Sequence, residues 1–134
     1  ASIVEEETND EMEKPTIASV YVNRLRKGMN LGADPTIKFA LNDFTLKRIT
    51  LNHINASSSS PYNTYKKKGL PPGPICTASI ASIDAVLEGK KTDYLYFCAK
   101  EDFSGYHNFA VNYSEQQKNA RKFHQALNKR NIKS

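Results

Sequence analysis

A segment rich in proline and glycine, residues 60–75, constrains the fold of this chain more than any other feature. It holds four of the six prolines and two of the six glycines. Proline fixes one backbone angle and removes a hydrogen-bond donor, so no long helix or strand can cross the middle of the chain. We therefore predict a restrained loop there, with regular secondary structure on either side.

Four consecutive polar or aromatic side chains lie on this loop: Tyr62, Asn63, Thr64 and Tyr65. Loops held by a rigid scaffold often carry binding residues, so the four predict one wall of a groove. The alternative is a structural role, because Asn and Thr side chains also close turns through hydrogen bonds to nearby backbone.

The residues before this loop predict a helix that begins at Pro15 and ends near Gly28. Proline suits the first turn of a helix, and glycine often follows its last residue. Apolar residues recur between them at helical spacing: Ile17, Val20, Tyr21 and Leu25. Residues 29–38 predict a loop or a small extended hairpin, because the residue before Pro35 disfavours helical backbone.

The residues after the loop predict two helices and a hairpin. A helix is expected over residues 79–87, and strands over 94–99 and 107–111. The last helix is predicted to begin at Ser114, with Gln117 completing a capping box. The fold class predicted is α+β, a single helix-rich domain with a small β-hairpin.

Composition and motifs limit the chemistry. The 134 residues, 39% hydrophobic and 25% charged, fit one globular domain. No phosphate-binding loop, dinucleotide fingerprint or HExxH motif is present, so we predict no cofactor and no metal. The two cysteines, Cys76 and Cys98, form either one disulfide or two buried thiols. The chain begins without Met on an apolar, helix-like stretch, so we expect it to be a piece of a longer protein.

The formal net charge of +5 favours an anionic partner. Nucleic acid, membrane headgroups and an anionic cell-wall polymer all fit this charge. The basic residues are scattered except at residues 66–68 and towards the C-terminus, at Lys129, Arg130 and Lys133.

A carboxylate on the apolar face of the first helix is the strongest candidate for chemistry. Residues 1–8 predict the end of a helix on which Ile3, Val4 and Glu7 share one face, whereas Glu5 points elsewhere. Burial on such a face raises the pKa of a carboxyl group, which is what a general acid at a glycosidic bond needs. The alternative is a solvated glutamate at a helix end.

Several motifs, in one order along nearly the whole chain, resemble the YceG-like family of endolytic peptidoglycan transglycosylases. They are ASIVEEET at 1–8, VNRLRKGM at 22–29, DPT at 34–36, SPYNTY at 60–65, GLPPGPI at 69–75, KTDYLYF at 91–97 and HNF at 107–109. The resemblance implies a lyase that forms 1,6-anhydro ends on peptidoglycan strands, with residues 1–134 as its catalytic domain. It also implies a single-pass N-terminal membrane anchor and a LysM-like region outside this chain, with the catalytic domain on the outer side of the cytoplasmic membrane. The full-length protein is then expected to end glycan elongation and to work with the cell-wall synthesis machinery.

The resemblance assigns the catalytic role to Glu7, the second Glu of an E-x-E-T motif, at a helix end beside a groove as in lysozymes. The residues implied to bind the glycan are Asn23, Arg24, Asp34, Tyr62, Asn63, Thr64, Tyr65 and His107. Asn23 and Arg24 sit on adjacent helix faces, so at most one faces the groove fully. Asp34 is either a second carboxylate or a turn residue before Pro35, and His107 either orients a ligand or closes the hairpin.

Two features depart from the family motif. Glu6 stands where lysine is common, and neither cysteine belongs to the signature. Two other functions remain open from the sequence, a glycan-binding module without activity and a basic nucleic-acid-binding domain. The latter requires residues 66–68 and the basic C-terminus on one face, and binding that weakens steeply with salt.

Overall fold

The computed structural model describes residues 1–130, which fold into helices around a two-stranded sheet. The elements are α1 (Ser2–Glu7), α2 (Lys14–Arg26), α3 (Asp34–Ala40), α4 (Leu51–Ala56), α5 (Ile80–Glu88), β1 (Tyr96–Ala99), β2 (His107–Ala110) and α6 (Tyr113–Lys129). The prediction of a helix-rich α+β domain with a small hairpin is confirmed.

The core lies between α1, α2, the loop that follows α2, and the end of the proline-rich segment at Ile75. α2 supplies its largest share, because its apolar spacing places one stripe inward. Phe97 and Phe109 of the hairpin pack against this cluster from the far side. The buried members are Ile3, Val4, Ile17, Ala18, Tyr21, Leu31, Ala33 and Ile75.

The predicted hairpin is confirmed, and α6 covers one of its faces. β1 and β2 are antiparallel, with Phe97 opposite Phe109. Gln116 of α6 donates from Nε2 to the Phe97 carbonyl oxygen at 3.0 Å. The predicted capping box was wrong, since Asn112 caps α6 by accepting from the backbone N–H of Glu115.

The expectation of a loop or hairpin over residues 29–38 was wrong for its second half, which forms the start of α3. Pro35 occupies the first turn, where its missing N–H leaves no hydrogen bond unmade. The residue before Pro35 is Asp34, which is the first residue of α3, so the restriction before proline did not prevent a helix from starting there; the extended residue is the N-cap, Ala33. α4 was not predicted; a capping box between Thr50 and His53 begins it.

The helix predicted over residues 79–87 is confirmed as α5, with Ser79 as its N-cap and Gly89 in the left-handed region after it. Its most buried residues are Ser82 and Ala85, and it packs against α2. The apolar residues whose spacing predicted the helix lie on its exposed side: Ile80, Ile83 and Leu87.

Three further findings concern the cysteines, membrane-spanning helices and the basic C-terminus. Both cysteines are free thiols, so no disulfide joins them. No helix among residues 1–130 is long and apolar enough to cross a membrane. Lys133, part of the predicted basic C-terminus, lies outside the described residues.

Candidate active site

Two clefts meet at the end of α1. The main cleft, about 500 Å³, lies between α1, α2 and α3 on one side and β1 and α6 on the other. The hairpin cleft, about 490 Å³, lies between the end of α1 and the loop that joins β1 to β2. Three residues line both clefts: Glu7, Ala99 and His107.

Glu7 is the last residue of α1, and its carboxyl group is held by a tyrosine. The Tyr21 hydroxyl donates a hydrogen bond to Glu7 Oε2. Burial raises the pKa of Glu7 to about 7; the hydrogen bond from Tyr21 opposes this rise, and the nearby Asp34 carboxylate adds to it. A carboxyl group with this pKa exchanges its proton readily at neutral pH, which suits general acid and base catalysis.

A second carboxyl group, that of Asp34, lines the same cleft. It stands at the start of α3, and the Tyr65 hydroxyl donates to its Oδ1. Burial raises the pKa of Asp34, although this hydrogen bond and Lys38 act in the opposite direction. The pKa of Tyr65 is raised by burial and by Asp34. Each carboxyl group therefore has a phenol partner in the cleft.

Arg24 reaches the cleft from α2 while fastening three segments together. Its Nε donates to the Leu95 carbonyl at 2.7 Å, and its Nη1 donates to the carbonyls of Asn30 and Leu31 at 3.0 and 3.1 Å. Gly32 follows at φ +56°, where a Cβ atom would lie 3.3 Å from Arg24 Nη1. Glycine is favoured there because this backbone angle strains a residue with a side chain, and a Cβ atom would require Arg24 Nη1 to shift.

Asn23, the neighbour of Arg24, points away from the main cleft. Its Nδ2 donates to the carbonyl oxygens of Thr92 and Tyr94 at 2.8 and 2.9 Å. Of the pair, only Arg24 lines the main cleft, in keeping with the expectation that at most one would. The contacts of Asn23 hold the segment before β1 onto α2.

His107 stands where the two clefts meet and is fixed by an acidic residue that the sequence did not single out. Glu13 contacts His107 Nδ1 through Oε1 at 3.0 Å and accepts from the His107 backbone N–H through Oε2 at 3.1 Å. The imidazole edge also packs against Phe97, with ring centroids 5.4 Å apart. These contacts set the orientation of the ring.

The four residues predicted as a wall divide between core and cleft. Tyr65 lines the main cleft, whereas Tyr62 packs on Phe39 with ring centroids 4.6 Å apart. The Thr64 hydroxyl accepts from the Ala33 backbone N–H at 2.8 Å in the interior.

Asn63 does not present its amide to the groove as a wall residue would, because its side chain is fully buried. Its Nδ2 donates to the Ile54 carbonyl and Ser57 Oγ at 2.9 and 3.2 Å. Its Oδ1 accepts from the backbone N–H groups of Tyr65 and Lys66 at 2.9 and 3.0 Å. The amide closes the loop from inside, which is the structural alternative for this residue.

Glu5 is engaged in the structure, although the sequence gave it no role. It accepts from the backbone N–H of Ser79 at 3.0 Å and from Ser82 Oγ at 2.7 Å, and Lys14 Nζ lies 3.5 Å away. Hydrogen bonds from Ser79 and Ser82, with Lys14 nearby, lower the pKa of Glu5 to about 2. This network ties α1 to α2 and α5, so Glu5 helps to hold Glu7 in position.

Among residues 1–130, no group of three or more His, Cys, Asp and Glu side chains could hold a metal ion.

The sequence analysis missed three residues that hold the site residues in place: Tyr21, Glu13 and Glu5. Tyr21 had a signal, since the helical spacing of α2 put it on the buried stripe, but that stripe indicated only packing.

Comparison with known proteins adds independent evidence. The profile of the YceG-like family matches residues 1–122. An endolytic murein transglycosylase of Bacillus subtilis (strain 168) is 45% identical over 102 residues, which cover 76% of this chain and 28% of that protein. The enzyme of the same name from Streptococcus pneumoniae (strain D39) is 36% identical over 102 residues, 74% of this chain and 18% of that protein.

A solved structure is also similar. The crystal structure of a yceG-like protein from Listeria monocytogenes superposes with a TM-score of 0.80 at 41% identity, covering 87% of this chain and 37% of that one. The chain spans less than a third of the length of the two curated relatives.

Proposed function

Because the chain belongs to the YceG-like family, we propose that it carries the activity of an endolytic murein transglycosylase, a lyase acting on peptidoglycan strands. One observation carries the proposal. The carboxyl group of Glu7, at the bottom of an open cleft, is desolvated enough for its pKa to reach about 7. The bond proposed to break is the β-1,4 bond between N-acetylmuramic acid and N-acetylglucosamine.

The proposed reaction uses Glu7 first as an acid and then as a base. Protonated Glu7 gives its proton to the bridging oxygen as the bond from that oxygen to muramoyl C1 breaks. The muramoyl C6 hydroxyl attacks C1 and its proton passes to the Glu7 carboxylate. A 1,6-anhydro end forms and the acid is regenerated, so no water is consumed. Tyr21 occupies Oε2, which leaves Oε1 to carry the proton towards the substrate.

Asp34 supports this reaction better than it supports hydrolysis. A hydrolase that inverts needs an ionised second carboxylate to activate water. In this cleft the Tyr65 phenol donates to one oxygen of Asp34, so that oxygen is not free to take a proton from water. We propose that the negative charge of Asp34, when present, helps to keep Glu7 protonated, as the raised pKa of Glu7 indicates.

The proposed substrate contacts follow the cleft. Arg24, Asp34, Tyr65 and His107 line it and are the favoured glycan-binding residues. The side chains of four other predicted residues contact other protein groups instead, so we propose that they act by shaping the cleft walls: Asn23, Tyr62, Asn63 and Thr64. Peptidoglycan is the proposed partner, and nucleic acid is not.

The proposed domain and location follow from the substrate. We propose that residues 1–134 form the catalytic domain and that the enzyme acts in the cell envelope. Attachment to the cytoplasmic membrane through a segment outside this chain stays a prediction, and so does a role in ending glycan elongation.

Digestion of purified peptidoglycan, with the products read by mass spectrometry, tests the proposal. We expect 1,6-anhydro-muramoyl ends from the wild type and a loss of about 10²–10⁴-fold in rate for Glu7→Gln, since Gln cannot donate a proton. Glu11→Gln is the matched control, because Glu11 is exposed and lines neither cleft.

Other outcomes separate the alternatives. Reducing ends in place of anhydro ends would identify a hydrolase. Glycan binding without any products would identify an inactive binding module. A folded Glu7→Gln variant with normal turnover would remove Glu7 from the mechanism. Glu5→Gln is not a suitable control, because Glu5 holds α1 against α5.

A further inference from the structure

The hairpin cleft extends the candidate site beyond the main cleft, with which it shares Glu7, Ala99 and His107. Apart from the three shared residues, its lining is distinct: Glu6, Thr8, Asn9, Asp10, Ser104, Gly105 and Tyr106. Its volume, about 490 Å³, nearly equals that of the main cleft and falls in the range of small-molecule sites. A polymer that reaches Glu7 through the main cleft therefore has a path of similar size beyond it.

The wall of the hairpin cleft that is formed by the loop between β1 and β2 is held in place. In the loop, the Lys100 backbone N–H donates to the Tyr106 carbonyl at 2.9 Å, and the Tyr106 N–H donates to Ser104 Oγ at 3.3 Å. Phe103 anchors the same loop by packing against Phe123 of α6, with ring centroids 5.8 Å apart. Binding to a wall that is already ordered costs little conformational entropy.

His107 fixes the junction of the two clefts. Because Glu13 holds both its backbone N–H and its Nδ1, the β2 end of the hairpin is tied to the residue just before α2. Tyr21 of α2 holds Glu7, so α2 helps to position both Glu7 and His107 at the point where a bound strand would cross from one cleft to the other.

The chemistry of the hairpin cleft fits an uncharged sugar. The Tyr106 side chain is 48% exposed, so a flat aromatic face is available on a wall that is otherwise polar. Asp10 accepts from the Met12 backbone N–H through Oδ1, which leaves Oδ2 as an acceptor for hydroxyl and amide N–H donors. Glu6, Glu7 and Asp10 also bring three carboxyl groups to one cleft, which disfavours an anionic ligand such as a peptide carboxylate.

We propose that the hairpin cleft binds uncharged N-acetylated sugar units on one side of the bond that Glu7 cleaves, with Tyr106 covering one face of a pyranose ring. This inference rests on the proposed function and adds a second binding region to it. A strand held on both sides of Glu7 is cut within its length, so loss of the hairpin cleft should favour cutting near strand ends.

Binding of an uncharged probe tests the proposal separately from catalysis. The probe is the tetramer of N-acetylglucosamine, titrated calorimetrically into the Glu7→Gln protein. Adding Tyr106→Ala should weaken binding by about tenfold, the upper range for an aromatic stacking contact. Tyr106→Phe should bind as the parent does, because it keeps the ring.

Phe44→Ala is the matched control, since its ring is 44% exposed and lines neither cleft. It should bind the tetramer as the parent does. Circular dichroism confirms that each variant folds, and amide NMR shifts on titration should include Ser104 and Tyr106. Shifts confined to the main cleft, or equal binding by the Tyr106→Ala and Phe44→Ala variants, would overturn the proposal.

Digestion separates this proposal from the proposed function. If the wild type yields anhydro ends and Tyr106→Ala gives products of the same length, the lyase assignment stands and the proposed role of the hairpin cleft is overturned. Tetramer binding that depends on Tyr106, with no anhydro ends from the wild type, would overturn the lyase assignment and keep the binding site. Shorter products from Tyr106→Ala, cut near strand ends, would support both.

Discussion

The hydrogen bond from Tyr21 to Glu7 gives a direct prediction about acidity. Tyr21→Phe removes the donor but keeps the ring, which is buried and packs edge-on against Phe97 with centroids 5.9 Å apart. Because the hydrogen bond favours the ionised carboxylate, it lowers the pKa of Glu7, and burial keeps that pKa at about 7. Without the donor, the pKa must rise further.

The size of the rise follows from two hydrogen-bond strengths. A hydrogen bond to a charged acceptor contributes about 1.5–3 kcal/mol, and one to the neutral acid about 1 kcal/mol. The difference, about 0.5–2 kcal/mol, corresponds to roughly one pH unit at about 1.4 kcal/mol per unit. We expect the pKa of Glu7 in Tyr21→Phe to be near 8.

The pH dependence of kcat/KM on peptidoglycan strands measures this change. Since the first step needs protonated Glu7, the rate should fall above a pH of about 7 in the wild type and about one unit higher in Tyr21→Phe. Titration of the Glu7 carboxyl carbon by NMR gives the same pKa without turnover. The control is Tyr94→Phe, whose ring packs on Phe109 and lines neither cleft. An unchanged or lower pKa in Tyr21→Phe would refute the reasoning.

Two further predictions concern stability. The pKa of Glu7 is about 7 in the folded chain, whereas its ordinary value is 4.5, so Glu7 ionises at lower pH in the unfolded chain. The free energy of unfolding therefore falls by about 3 kcal/mol as the pH rises from 4.5 to about 7. The free energy of unfolding of Glu7→Gln should not fall in this way. In urea unfolding, the variant should therefore be more stable than the wild type at pH 8 but not at pH 4. The same stability difference between variant and wild type at both pH values would contradict this. Asn63→Ala should lose about 2–4 kcal/mol in urea unfolding, since it removes the four hydrogen bonds of a buried amide, whereas exposed Asn52→Ala should change little. Near-equal stability of these two variants would mean that the loop does not depend on the amide.

Apolar spacing and nearby turn residues in the sequence predicted α2 and α5, whose bounds depend on neighbouring residues. Apolar spacing bounded by Pro15 and Gly28 marked α2 closely, and apolar spacing followed by Gly89 marked α5. The same spacing placed Glu7 on the buried face of α1, because a helical wheel relates residues three and four positions apart. The helical spacing could not show which other element of the fold each helix face would pack against.

The proline-rich loop shows where a local pattern stops being informative. Its polar residues were consistent with a binding wall and with a self-supporting turn. Burial decides between these, and burial depends on packing against distant segments. Asn63 faces inward against α4, and Tyr65, two residues later, reaches Asp34 in the cleft. A short run of sequence therefore serves both roles at once, and its composition alone cannot divide them.

The site is built from carboxyl groups whose partners lie progressively farther along the chain. Glu7 is held by Tyr21, 14 residues away; Asp34 by Tyr65, 31 residues away; and Glu13 holds His107 across 94 residues. The sequence identified Glu7 by its wheel position and Asp34 through a motif, but it identified neither phenol as a partner and did not find Glu13. A carboxyl group becomes a useful acid only when burial and its partners set its pKa. The acidity that the proposed reaction needs is therefore a property of the folded chain, and no stretch of sequence short enough to be read as a motif contains it.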